Sequence, residues 1–393
     1  MTNRVYVMVL LVVLVVAAFA QAQTFTVLFT FTGSDGNEPA PGVIQDPAGN
    51  LYGTAELGGD LNCFAPDGCG VVYKLNTAGT ETVLHSFSGA DGQWPYTPVA
   101  RDKAGNIYGT TYNGGSYYWG AVFKIDTAGN ETVLYSFTCG LDGCFPYQGL
   151  VRDKAGNLYG TTMAGSCLSC KGTIFKIDST GKFTLLHSFN GGSSNGGEPL
   201  FGHLTMDKAG HLYGVTSQGG LNACVASNGC GVLYKLSKNG TFTVLHRFAG
   251  GMKDGSGPFG SVVQDKAGNL YGTTESSGSS DYGTIWKVSK KGKETILHNF
   301  AGGSSDGCFP VAGVALDSKG NLYGTTHACG ANGFGALYEL RASGRFTLLH
   351  SFGGSDGDYP DGEVLRTAKG TLFGTTLIGL PFGNWGTVWS YVP

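Results

Sequence analysis

Beyond its first two dozen residues the chain runs in short stretches that mix apolar and polar positions, with no helical 3.6-residue period. Stretches rich in Val, Ile, Thr, Tyr and Phe, bounded by Gly, Asp, Asn and Ser, are the mark of strands joined by turns. One region shows the unit: residues 97–102, 106–112, 121–126 and 131–137 are predicted as four consecutive strands. Lys103-Ala104-Gly105 turns the first strand into the second, and Thr127-Ala128-Gly129 turns the third into the fourth. In such turns Gly supplies positive φ and an Asp such as Asp102 accepts backbone N–H bonds.

The unit repeats. GNLYGTT or a near variant begins at Gly49, Gly105, Gly156, Gly210, Gly268, Gly320 and Gly370, at intervals of 50 to 58 residues. A second string, typified by GTIFKI, begins at Gly70, Gly120, Gly172, Gly231, Gly283, Gly335 and Gly386. A third, typified by TVLHSF, begins at Thr26, Thr82, Thr132, Thr184, Thr243, Thr295 and Thr347. Four-stranded units of about 50 residues, repeated radially, make propeller blades. The fold class expected is therefore all-β: a seven-bladed β-propeller with four antiparallel strands per blade. The last repeat lacks a TVLHSF strand, while residues 24–31 carry a spare copy. Pairing that copy with the blade of residues 362–392 closes the ring and removes two open edges.

Repetition also assigns the motif residues. Tyr52, Tyr108, Tyr159, Tyr213, Tyr271, Tyr323 and Phe373 share one register and are expected to pack between blades, each followed by a Gly that permits close sheet approach. His85, His187, His246, His298 and His350 share a register with Phe29 and Tyr135. They fall on the outer strand, so they cannot converge on the axis. An aromatic slot is expected there, not a ring of metal ligands.

Composition fits a folded exported chain. Gly is 67 of 393 residues and charged residues are 13%, far from the averages of roughly 7% and 25%. A net charge of -3 gives no electrostatic footprint for nucleic acid. Arg4, the apolar run of residues 5–20 and the Ala-x-Ala exits at Ala20 and Ala22 describe a signal peptide over residues 1–22, leaving 23–393 as one propeller domain. The expected location is secreted, extracellular or cell-surface, with no membrane span in the mature chain, no cofactor and a monomeric state. Ten cysteines in an exported chain read as disulfides. Cys63–Cys69 and Cys224–Cys230 are expected as local pairs in equivalent loops, and Cys308–Cys329 as a pair across one face. By analogy with Cys308, Cys144 is expected to join Cys167 or Cys170, leaving the other for Cys139. The competing arrangement is Cys139–Cys144 with Cys167–Cys170.

The pattern Phe87-Ser88-Gly89-Ala90-Asp91-Gly92 leading to Pro95, then Asp102 through Thr111, then Gly120 through Ile125, resembles the GloVer-type tandem repeat of exported bacterial proteins, some bearing C-terminal sorting anchors. The resemblance spans residues 24–393 and implies a surface or secreted repeat protein. It implies no catalytic residues. The chain ends at Pro393 without a hydrophobic tail, which favours free secretion.

Candidate chemistry is sought on the face bearing the variable loops, since function gathers on loops held by a rigid scaffold. Trp94, Tyr96, Tyr117, Tyr118 and Trp119 are expected as an aromatic platform for a glycan or protein. Asp35, Asp91, Asp142, Asp254, Asp306 and Asp356 precede Gly in the crossovers, with Asn195 in the remaining copy. They are read as Asx-turns, with a Ca²⁺ ring as the alternative. Arg101, Arg152 and Arg366 could line an axial anion site. No G-x-S-x-G or H-E-x-x-H motif occurs, so no catalytic residue and no metal ligand is assigned. Asp60, Asp67, Glu198 and Asp281 are the unrepeated acids that an enzyme would need. The function expected is a binding or scaffold propeller, with a carbohydrate-active or lactonase-like enzyme as the alternative.

Overall fold

Seven four-stranded antiparallel sheets form the blades of a propeller. The computed structural model describes residues 23–39, 41–165, 171–221, 224, 229–379 and 385–393; the expected signal peptide, Cys167 and Cys170 lie outside them. Among the described residues no helix is long and apolar enough to cross a membrane. Blades are numbered 1 to 7 from Ile44. In blade 2 the strands are Ala100–Arg101, Ile107–Thr111, Ala121–Ile125 and Glu131–Ser136, from axis to rim. The innermost strand is shorter than expected because residues 97–99 leave the ladder for the neighbouring blade. There the Thr97 carbonyl accepts the Thr54 hydroxyl of blade 1 at 3.0 Å. The same Gly-Thr-Thr threonine in blades 5 and 6 donates across its own boundary, Thr273 to the Ala312 carbonyl and Thr325 to that of Gly362.

Closure is as the repeats require. Thr24–Thr30 pairs antiparallel with Thr387–Val392 as the outer strand of blade 7. Between blades lie apolar clusters, such as Tyr52, Val72 and Phe87 of blade 1 with Val99, Ile107 and Phe123 of blade 2. The repeat tyrosines pack their rings there, Tyr159 only partly buried, and keep their hydroxyls satisfied, Tyr52 on Asp46 and Tyr108 on Asp102.

Three expectations change. The Gly after each Tyr does not serve sheet-to-sheet approach: an aromatic ring from the paired third strand lies across it. A Cβ on Gly53 would stand 2.5 Å from the Tyr73 hydroxyl, and one on Gly374 2.3 Å from the Trp389 ring. The three arginines do not line the axis. Arg101, Arg152 and Arg366 stack on Tyr52, Tyr108 and Tyr323 of the preceding blade, 5.3–5.6 Å from the ring centres. Cys139 joins Cys144, not a thiol of the next loop. In blade 6, Cys329 stands opposite Gly307, and the pairing of Cys144 with Ala164 puts Gly165 at that register in blade 3. No thiol waits there. Asp142 instead gathers the Thr138 and Gly140 N–H groups and folds the crossover so that its own two cysteines meet. Among the described residues the other bonds are Cys63–Cys69, Cys224–Cys230 and Cys308–Cys329.

A β-bulge recurs between the third and fourth strands of every blade, skipping Leu84 in blade 1 and Leu28 in blade 7. A bulge re-aims side chains. Here Leu84 enters the boundary core, and His85 also faces blade 2, where it acts on Glu131.

Candidate functional site

Each blade is entered through a crossover ending in an X-Pro step, and all seven steps are built alike. The X residues are Glu38, Trp94, Phe145, Glu198, Gly257, Phe309 and Tyr359, with φ between 54° and 62°. Six of them hold a left-handed backbone without being glycine, which costs energy. A hydrogen bond pins each one: its carbonyl accepts the N–H of the residue following Gly-Thr-Thr, namely Glu56, Tyr112, Met163, Ser217, Glu275, His327 and Leu377. The frame is constant while the residues it presents differ from blade to blade.

Below this ring the innermost strands crowd together. Gly42 bridges to Glu363, and Gly149 to His203. A Cβ on Gly202 would lie 2.3 Å from the Ser261 nitrogen, so only glycine allows this approach. Above that floor opens a cavity of about 190 Å³, lined by residues of six blades including Glu38, Glu56, Tyr96, Tyr147, Phe201, Asp361 and Glu363.

Its walls carry three linked polar groups. The Glu56 N–H donates to the Glu38 carbonyl, and burial pushes both side-chain carboxyls up, Glu56 to about 8. The Tyr96 hydroxyl donates to Glu56, and the Tyr96 ring stacks on Tyr147 at 4.9 Å. Across the cavity, His203 Nδ1 lies 3.2 Å from Glu363 Oε2 and 2.8 Å from the Ser261 hydroxyl. Burial opposes the charge on both, yet each holds the other ionised, raising the pKa of His203 and lowering that of Glu363. His327 Nδ1 lies 2.8 Å from Asp361 Oδ1, and that bond keeps its pKa above the ordinary value. Burial also raises Glu275.

The expected aromatic platform is divided. Tyr96 belongs to the axial cavity. Trp94 meets Phe64 edge-on at 4.9 Å, and Trp119 meets Phe145 at 5.2 Å. Tyr117 and Tyr118 stand in solvent, 56% and 71% exposed. The crossover aspartates act as turn acceptors: Asp91 takes the Ser88 N–H and Asp254 that of Ala249. The unrepeated acids do not assemble. Asp60 and Asp281 accept backbone N–H groups in their own loops, and Glu198 is held by Lys171 and Gln218.

Glu56, Tyr147, His203, Glu275, His327, Asp361 and Glu363 were not singled out from sequence. Their signal is variation at a fixed register: one position after Gly-Thr-Thr, and one to four positions after the crossover Pro, where flanking residues repeat and these do not.

Residues 15–227 and 224–393 match the Gloeobacter/Verrucomicrobia repeat. No curated protein matches the chain in sequence. Among solved structures the chain is similar to streptogramin B lyase, at 11% identity and a TM-score of 0.59, covering 94% of this chain and 97% of that one. It is also similar to the extracellular domain of a hybrid two-component system from B. thetaiotaomicron, at 12% identity and TM-score 0.57, covering 94% of this chain and 41% of that one. A one-component system of the same organism gives 10% identity and TM-score 0.54, covering 92% and 39%. At these identities the likeness is one of fold.

Proposed function

The chain belongs to the Gloeobacter/Verrucomicrobia repeat family, and from that premise we propose that it is a secreted binding propeller whose axial cavity takes one sugar ring. The observation that carries this reading is convergence. Non-repeated residues from six blades meet in one cavity on the variable-loop face, while the repeat tyrosines and the crossover aspartates serve packing and turns. The cavity is smaller than the roughly 300–1,000 Å³ of sites for drug-sized ligands, which suits a single ring. Tyr96, Tyr147 and Phe201 offer ring faces for C–H surfaces, and the carboxyls of Glu38, Glu56 and Asp361 offer hydrogen-bond partners for hydroxyls. Disulfides and the extracellular neighbours support an oxidising, exported location.

The carboxyl pair favours binding over glycoside hydrolysis. Burial pushes both Glu38 and Glu56 up, whereas a hydrolytic pair sets one carboxyl kept ionised against one raised acid. A screen of monosaccharides and short glycans against residues 23–393 tests the reading, with Glu56→Gln in parallel. Binding by the wild type, about tenfold weaker in Glu56→Gln and without turnover, supports it. Turnover of the bound sugar would replace it with the enzyme reading, and absence of binding to any glycan would remove it.

A further inference from the structure

The rim of the propeller holds a second recurring arrangement. At every blade boundary three positions meet: the fourth-strand residue of the His register, the Asp or Asn of the crossover that follows it, and the residue four positions before the His register on the next blade's fourth strand. At four boundaries that third residue is Phe, stacked nearly parallel on the first. Phe183 lies on Tyr135, Phe242 on His187, Phe346 on His298 and Phe25 on His350, with centroids 3.7–4.5 Å apart. At the other three it is Glu81, Glu131 or Glu294.

Two of the glutamates face an imidazole as well as an aspartate. His85, Asp91 and Glu131 bring one nitrogen and two carboxylate oxygens within 4.8 Å of one another, as do His246, Asp254 and Glu294. In the second group His246 Nε2 lies 3.3 Å from Asp254 Oδ2 and 3.6 Å from Glu294 Oε1. Those separations approach the roughly 3.3 Å edge of a tetrahedron whose ligands lie 2.0–2.1 Å from zinc. The Oε1 atoms of all three boundary glutamates, Glu81, Glu131 and Glu294, are buried without a hydrogen-bond partner, and buried polar atoms left so are costly; only Glu131 and Glu294 have an imidazole nitrogen beside them. A stacked Phe, used four times at this register, would leave no such orphan.

We propose that His85–Asp91–Glu131 and His246–Asp254–Glu294 are two equivalent sites for a zinc-class divalent cation, each clasping two adjacent blades. The imidazole selects a nitrogen-accepting metal over Ca²⁺. Three protein ligands leave a fourth position for water, and side-chain exposures of 11–20% give the ion a way in. The Phe29–Asp35–Glu81 boundary has the carboxyls without the imidazole and serves as an internal control.

The repeats supply the test variants. Residues 23–393, stripped with EDTA, are titrated with ZnCl₂ and followed by calorimetry and thermal melting. The wild type is expected to take up two equivalents beyond those bound by E131F/E294F, and to melt several degrees higher with zinc. E131F/E294F introduces the residue used at the other boundaries, so it should fold and show no zinc-dependent shift. H85F/H246F, copying Phe29, should behave the same way and carries the test if the first variant misfolds. Equal zinc uptake by wild type and either folded variant overturns the proposal, as does preference of the wild-type sites for CaCl₂.

Discussion

At Gly374 the Trp389 ring occupies the space a side chain would need, and the same replacement of side chain by neighbouring ring recurs at Gly272 beneath Trp286. Gly374→Ala is therefore expected to destabilise the protein by about 1–3 kcal/mol, the usual cost of overpacking, read as a lower denaturation midpoint. Gly129, with nothing within 4 Å of a Cβ, has room, but its φ of +86° makes Ala there a strain case instead. The sequence marked Gly374 as special through repetition alone. It did not say which neighbour needed the space, because the ring arrives from a different strand. Tyr147 and Asp361 were harder still: each sits where residues vary, and variation looks like neutral drift until the crossovers are seen to converge.

Single elements hold the ring shut. The strand Thr24–Thr30 pairs along its whole length with Thr387–Val392 and stacks Phe25 on His350, so it forms both a sheet edge and a blade boundary. Deleting residues 24–30 should lower the melting temperature by more than ten degrees or prevent folding; a truncated chain melting within a few degrees of full length would refute the closure. Cys308–Cys329 closes a loop of sequence separation 21, worth about 3 kcal/mol in the chain-entropy account. The double Ala variant should lose about that much in denaturant titration. Strand order, closure and three of the bonds could be read from repeat arithmetic, since a repeat fixes what lies beside what. The Cys139–Cys144 bond could not. It depends on how tightly Asp142 folds one crossover, and equal register in sequence does not enforce equal partners.

For the whole molecule, acids with raised pKa set the pH response. Burial lifts Glu56 to about 8 and Glu81 to about 7, so between the ordinary carboxylate range and those values the folded chain holds protons that the unfolded chain has released. Stability must then fall as pH rises through that window. His327, raised by Asp361, works in the same direction. Asp46 and Asp265 are lowered by the hydrogen bonds of their turns, which outweigh burial; their contribution is lost only as pH falls below the ordinary range. The melting temperature should accordingly decline from pH 5 to pH 8.5, with a shallower decline in Glu56→Gln. A flat or rising profile in the wild type would contradict the burial of these carboxyls.

Architecture and chemistry meet in the claim that the axial cavity, and not the exposed aromatic rim, is where this propeller binds its ligand. The most direct measurement titrates one glycan from the screen into the wild type, Tyr147→Ala and Tyr118→Ala side by side. Tyr147 lines the cavity, and Tyr118 stands in solvent on the same face. The account predicts that Tyr147→Ala weakens binding about tenfold or more, roughly 1.4 kcal/mol, while Tyr118→Ala matches the wild type. Loss of binding in Tyr118→Ala with Tyr147→Ala unaffected would contradict it and move the site to the rim.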